Sequence, residues 1–504
     1  MNLSFCISDD HFGDYTKFEE ITSAAIRNTW LFPFEDKTIF TSKKKATDLA
    51  RQLQFEYGKA LPDSYNKEMD TLSDESFSNY FFYSMGAVLL TKQLQQPTKP
   101  GIENRYDHSS LGPFVIDIPF THTAMRPGFR PLASRIHFDT DQKVTAIYDH
   151  IEEALFKPGQ PGWESAKFMA KSAAFTLITV REHLTWSHLL LSNSMTRACT
   201  VCLPPNHPIR RLLTVFIFRT TEVNTAAFDV LVPINCVLHR GVGYEYSALV
   251  ELFEASYLSS NVFEPFPQRA LPPALLEMAE AGNFPYWTLG KEYYQIVKTF
   301  VTEWIQQASS AAATAAAVAA VAQQQQQNGE HGEEEECTAS RRNSIKTTDD
   351  KYARAFYYDM QRTNRGQEYE LPFEYSEEAL IEMLTTCIWT VTAYHELVGH
   401  VVDATLLPDR CGVRGIAGQT QVDLQAYLLT LVISSSTGIR MPQLMSPFEN
   451  LFGAGGAPAY ERQVWNTFQE ELQKQSKRVQ ELNAQSKVPF QYFDPAHFEC
   501  SISV

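Results

Sequence analysis

Four histidines stand in two pairs of equal spacing, His183-Leu-Thr-Trp-Ser-His188 and His395-Glu-Leu-Val-Gly-His400. Neutral imidazole is the commonest protein ligand for a transition metal, because one ring nitrogen offers a lone pair while the other keeps its proton. On a regular α-helix each residue advances about 100°, so side chains five apart point about 140° away from each other. Neither pair can then meet at one ion. A π-turn, with roughly 4.4 residues per turn, closes that angle to about 50°. A metal reading of either pair therefore requires a π-turn at that place. The alternative is one packed core histidine and one on a polar face. His395-Glu396 also begins like the zinc-protease pattern HExxH, but that chemistry needs its histidines four apart with the glutamate between them, and five excludes it.

The end of the sequence carries a third candidate. Gln491-Tyr-Phe-Asp-Pro-Ala-His-Phe-Glu-Cys-Ser-Ile-Ser-Val504 finishes on an apolar residue after a proline-containing approach, where most chains finish polar and frayed. If buried, the Val504 carboxylate, with an ordinary pKa of about 3.3 to 3.7, is anionic and an oxygen ligand for a cation. The alternative is chance.

The elements that must position these groups read as long helices, and few stretches alternate as an antiparallel sheet would. The fold class is mainly α. Lys167 to about Ser194 is one apolar-rich stretch without Gly or Pro after Pro161-Gly162, the expected start of a long buried helix. A second helix is expected from about Ser376 to Thr405, with Glu377 and Glu378 in its first turn and Pro408 beyond its end. A third begins near Lys291 and runs through Trp304. The stretch 309–350 passes from alanines through five glutamines to an acidic cluster and cannot bury a core. Its alanines can extend the third helix, and beyond Gln327 disorder is expected. It reads as an insertion inside one domain.

Composition sets outer limits. A chain of 504 residues with 44% hydrophobic content can bury a large core. A formal charge of -16 argues against nucleic acid, whose phosphates need a concentrated basic surface, and confines any peripheral membrane contact to local patches. Eight scattered cysteines do not make a secreted disulfide scaffold. Cys199-Thr-Val-Cys202 has no second pair at zinc-ribbon spacing and reads as structural. The N-terminal residues lack a secretory pattern and carry acids that transit peptides avoid, so the cytoplasm is the expected compartment, with a plastid as the alternative.

Taken together, the histidine pair, the later His395 and the terminal carboxylate resemble the lipoxygenase family, and further landmarks recur in its order. Ser73-Asp-Glu-Ser-Phe77 is similar to an acidic-aromatic segment of the family, and Pro131-Leu-Ala-Ser with Val144-Thr-Ala-Ile147 to its short two-stranded element. Trp163-Glu-Ser-Ala-Lys167 resembles the start of its iron helix, Asn206-His-Pro-Ile-Arg-Arg-Leu-Leu213 its HPxxKLL stretch, and Ile388-Trp-Thr-Val-Thr-Ala-Tyr-His395 the approach to its third histidine. The resemblance covers about 70–504. It departs where Ile178 replaces a further histidine, Thr185 and Trp186 stand between the pair, and Asn193 replaces a glutamate.

What the resemblance implies is a helical catalytic domain over 70–504 with a few short strands, a helical lead-in over 1–70 and no N-terminal β-sandwich. It implies one non-heme iron held by His183, His188, His395 and Val504, with an iron-bound hydroxide rather than a side-chain base taking the hydrogen. The partners are then a polyunsaturated fatty acid with a cis,cis-1,4-pentadiene and O2, the product a hydroperoxide, and the chain a monomer. The family's optional fourth side-chain ligand falls on Gly399, so His400 through a π-turn, or water, takes that place. Gly241 is the candidate for stereocontrol, its alternative being a turn that needs positive φ. The second reading of function is a lipoxygenase-like protein with hydroperoxide isomerase activity, or a lipid-binding one without catalysis.

Overall fold

The computed structural model describes residues 73–90, 108–118, 124–260, 262–266, 271–327, 350–363, 374–401, 411–416, 442–453, 457–490 and 492–502, with 419 and 426. It is a helical protein with one small sheet. The lead-in 1–70 and the stretch 328–349 lie outside the described residues.

Among the described residues the first helix is Asp74–Tyr83. Ser73 caps it by accepting from the Ser76 amide at 3.0 Å, and Asp74 and Glu75 stand in its positively polarised first turn. Asp74 then reaches across to the next layer. One of its carboxylate oxygens accepts from Trp163 Nε1 and from Lys167 Nζ, each at 2.7 Å. The acidic-aromatic segment thus anchors the start of the histidine-bearing helix.

The few short strands expected are four, which form an antiparallel meander: β1 (Phe114–Ile118), β2 (Ser134–Phe138), β3 (Val144–Asp149) and β4 (Ala154–Phe156), in that order. Ile116, Ile136 and Ile147 stand in register across three of them. Their pattern is hard to read as strand because β2 and β3 bury residues on both faces, which suppresses alternation. The sheet leads at Gly162 (φ 85°), where a side chain would strike Phe156, into the first long helix.

That helix runs without a break over 163–202, wider than the 167–194 expected: α-helical over Trp163–Leu177, π-helical over Ile178–Ser192, α-helical again over Asn193–Cys202. Cys199 and Cys202 sit in its last turn as free thiols. The second histidine helix begins, as its sequence predicts, at an N-cap: Ser376 accepts from the Ala379 amide at 3.1 Å. It is α-helical over Glu377–Trp389, makes one π-turn over Thr390–Tyr394 and returns to α over His395–Gly399.

Pro285–Gln327 is a third helix, 43 residues long, and the alanine block extends it to Gln327. Its buried face, with Tyr293, Tyr294, Val297, Val301 and Trp304, packs the centre of the molecule. Helix Ala459–Gln485 lies against it through Phe300 stacked on Phe468 at 4.2 Å. Arg211, in the HPxxKLL-like stretch, holds that helix bidentately through fully buried Glu461, at 2.6 to 3.0 Å. No described helix is long and apolar enough to cross a membrane.

Candidate metal centre

The π segment does what the spacing requires. It turns His183 and His188 to one side, and His395 comes from the second helix to meet them. The three Nε2 atoms form a near-equilateral triangle: 3.1 Å between His183 and His188, 3.1 Å between His183 and His395, and 3.2 Å between His188 and His395. All three residues are buried.

Side-chain hydroxyls follow the wider period here. Thr185 Oγ1 and Ser187 Oγ donate to the carbonyls of Val180 and Glu182, each five residues back, at 2.6 and 2.8 Å. These hydroxyls reinforce the i to i−5 pattern from the side chains. The His188 carbonyl receives Ser192 Oγ at 2.8 Å and Asn224 Nδ2 at 3.1 Å. That carbonyl fixes the backbone of one candidate ligand.

Burial depresses the basicity of the group. His183 lies well below the ordinary imidazole range through desolvation, with His188 adding to the effect. Desolvation pushes His188 down to about 4, against a smaller upward pull from Asn224. Both rings are therefore neutral at pH 7 and keep a lone pair.

The triangle fits a cation. A ring nitrogen carries either a proton or a lone pair, so three Nε2 atoms in mutual contact cannot all be paired by hydrogen bonds. In every tautomer at least two like faces meet. An ion bound at about 2.1 Å from nitrogens at right angles would hold them about 3.0 Å apart, close to the spacing observed. Among the described residues buried His183 Nδ1 has no hydrogen-bond partner, and packing holds that imidazole.

Two other predicted residues are placed differently. His400 is not brought into the group. The helix ends at Gly399, and at φ −73° and ψ 54° the His400 ring turns back so that its Nδ1 lies 2.6 Å from the Glu396 carbonyl oxygen, with its edge toward Tyr492. Gly399 faces the triangle instead: a Cβ there would lie 3.4 Å from His183 Nε2 and 3.6 Å from His395 Nε2. Gly241 ends helix Val237–Gly241 without positive φ, and among the described residues a Cβ would touch only Val413 Cγ2, at 3.7 Å. Neither backbone conformation nor crowding by the described residues requires glycine there.

Val504 lies outside the described residues, but the tail is followed to Ile502. Leu444 donates to the Phe498 carbonyl and Cys500 to that of Pro442, at 2.8 and 2.9 Å. Ser501 Oγ donates to the Phe218 carbonyl at 3.0 Å. Thr220 Oγ1 donates to the Ile502 carbonyl at 3.4 Å, and Asn224, one turn along the same helix, donates to His188. The buried tail and a candidate ligand are thus held by neighbouring turns of one helix.

Sequence reasoning missed Asn224 and Thr220, whose place beside the site depends on a contact between distant segments. It also passed over Glu182, fully buried beside His183 and paired with Arg181 at 2.7 Å. An Arg-Glu dipeptide inside an apolar run, directly before a candidate ligand, is a signal that could have found it.

No protein-family model and no curated protein matches the chain. Solved structures do. The coral 8R-lipoxygenase superposes with a TM-score of 0.72 at 16% identity, covering 97% of this chain and 74% of that one. A 9R-lipoxygenase from Cyanothece gives 0.62 at 14%, covering 98% and 71%. The lipoxygenase of the fungus Fusarium graminearum gives 0.65 at 15%, covering 97% and 90%. The architecture is the helical catalytic fold of lipoxygenases. Within that fold the chain carries a buried three-histidine group able to hold a metal ion.

Proposed function

We propose that this protein is a non-heme iron dioxygenase that adds O2 to a polyunsaturated fatty acid bearing a cis,cis-1,4-pentadiene. The observation that carries the reading is the buried triangle of three imidazoles, set within a lipoxygenase fold. His183, His188 and His395 would hold the iron, which would supply one-electron redox chemistry beside the doubly allylic methylene; overall the substrate and O2 combine, with no other reductant, to give the hydroperoxide. The chain's own contribution is binding, orientation and the exclusion of water. His183 and His188 present lone pairs from one rigid helix, and His395 closes the set from the other. Val504 completes it: two residues beyond Ile502 the chain can span about 7 Å, and Ile502 is held one helical turn from the group that binds His188.

Apolar side chains around the site suit a hydrocarbon substrate. Val180 and Leu184 of the π segment pack with Leu238, Val242 and Leu249 in one buried cluster, and Gly241 lies between Leu238 and Val242. A lipoxygenase that superposes with a TM-score of 0.71 at 15% identity was solved in complex with arachidonate, which supports a long unsaturated acid as substrate here. We place Gly241 as the residue whose missing side chain leaves room on one face of the substrate.

The test is oxygen uptake by the full chain with linoleate and arachidonate, alongside iron content by metal analysis. The expected result is about one iron per chain and a hydroperoxide product. Iron-replete protein that consumes no oxygen with any such acid sinks the reading. Extending the chain beyond Val504 is expected to lower iron content and abolish uptake while the fold survives, and a fully active extended protein would remove the terminal carboxylate from the ligand set. A second reading, hydroperoxide isomerisation or lipid binding without catalysis, is favoured by one observation: Gly399 offers no donor where a side chain would meet the triangle. It predicts turnover of added hydroperoxide without net oxygen uptake.

A further inference from the structure

The two histidine helices are tied together immediately beside the ligands. Glu182 precedes His183, and Tyr394 precedes His395. The Tyr394 hydroxyl donates to Glu182 Oε2 across the gap between the helices. The other carboxylate oxygen, Oε1, accepts from Arg181 Nε at 2.8 Å, with Nη2 of the same guanidinium 2.7 Å away in the ion pair. Glu182 is fully buried, and Tyr394 and Arg181 nearly so. Arg181 also lies over the Trp186 ring, 5.2 Å from its centre. Tyr394 packs against Trp389 at 5.3 Å between ring centres. Both donors are thereby confined, and the carboxylate is fixed from two sides.

The position of this tie gives it a consequence that ordinary packing lacks. His183 and His188 share one rigid segment, so their mutual distance is set by that segment alone. His395 depends on how the second helix is seated. A small slide or rotation between the helices passes directly into the distances from His395 to the other two, and a metal site tolerates little of it. A hydrogen bond between the residues immediately preceding His183 and His395 opposes that motion where its effect would be largest.

We propose that Glu182 and Tyr394, with Arg181 holding the carboxylate, are positioning residues that set His395 against His183 and His188. The proposal rests on the three histidines being metal ligands. Substituting Tyr394→Phe removes the hydroxyl alone. The triple variant Arg181→Met/Glu182→Leu/Tyr394→Phe removes charge, acceptor and donor together and leaves apolar volume behind, an exchange that buried ion pairs often accept without loss of fold. Tyr293→Phe is the control: it removes a 2.9 Å bond between Tyr293 Oη and Thr392 Oγ1, inside the same π-turn but not between the histidine helices.

The readouts are Co2+ titration followed by its visible absorption bands, and retention of Fe2+ against a chelator, on the full chain. Tyr394→Phe and the triple variant are expected to bind Co2+ about 10-fold more weakly or worse, with shifted bands, while Tyr293→Phe keeps wild-type affinity and spectrum even where its melting temperature falls. Wild-type affinity and spectrum in either tie variant overturns the proposal, and the triple variant decides the matter if Tyr394→Phe does not fold. Equal weakening in Tyr293→Phe also overturns it, since general loosening would then explain the loss. A wild-type chain that takes up neither metal overturns the centre itself, an outcome separate from variants that bind normally.

Discussion

His183 and His188 are five residues apart, and so are His395 and His400, yet the first pair converges and the second does not. The difference lies in where each helix departs from its regular period. The first pair stands inside fifteen residues of π-helix, which turns both rings to one side. In the second helix the π-turn is spent before His395, over Thr390–Tyr394, and the chain then follows the ordinary period for one turn and stops. On that period Gly399 shares the face of His395, about 40° away, and His400 does not. His400 instead lies against a carbonyl left open by the helix end. A spacing in sequence therefore becomes a metal-binding geometry only together with the local helical period.

The comparison breaks most easily at the histidines. Replacing His183, His188 or His395 by Ala is expected to cut bound iron from about one per chain to under about a tenth and oxygen uptake by about 100-fold or more, whereas His400→Ala stays within about threefold of wild type. Loss of iron in His400→Ala, measured by metal analysis, would place that residue in the centre after all.

Gly399→Ser sharpens the same contrast from the other side. A Cβ fits there at ordinary contact distance, 3.4 Å from His183 Nε2, and its hydroxyl could supply a further oxygen donor. Iron is expected to resist a chelator about 10-fold longer in Gly399→Ser. An unchanged or faster loss of iron would show that position 399 does not face the ion.

The pH dependence of the metal-free protein follows from the first pair. His183 and His188 stay neutral when folded, with His188 down at about 4, against an ordinary value of 6.5. As pH falls from about 6.5 toward 4 the unfolded chain takes up protons that the folded chain refuses. Stability is complete above that window and declines within it. Thermal unfolding across this range is expected to show a falling melting temperature, and His188→Gln a shallower fall. A slope unaltered by that substitution would assign the acid sensitivity elsewhere.

The smallest effect on stability is expected at Gly241→Ala, within about 0.5 kcal/mol, because among the described residues a methyl group meets only Val413 there. Chiral analysis of the product is the sensitive measurement, and an unchanged ratio of enantiomers removes Gly241 from stereocontrol.

Much of the site is legible in the residues. The candidate ligands announce themselves by type, the need for a π-turn follows from their spacing, and Ser376 with Glu377 and Glu378 marks a helix start that the structure keeps. The sheet was less legible, since strands buried on both faces lose their alternation. The supporting residues were least so. Asn224, Thr220 and Tyr394 act across gaps of 36, 282 and 212 residues, and no periodicity within a segment reports a partner at that distance.

What the sequence by itself determined is the inventory and the condition on it: the candidate imidazoles, two apolar helices able to bury them, and a spacing that lets the first pair meet only through a π-turn. The family resemblance singles out His395, but the physical reason that it and not His400 joins the pair lies in the tertiary structure. His395 and His400 are chemically the same ligand, and the choice between them is made by how the second helix is seated and where it ends. A chain's local forces fix the shape of each helix, but only contacts between helices, such as Tyr394 on Glu182, fix the few ångströms by which a third nitrogen meets the other two.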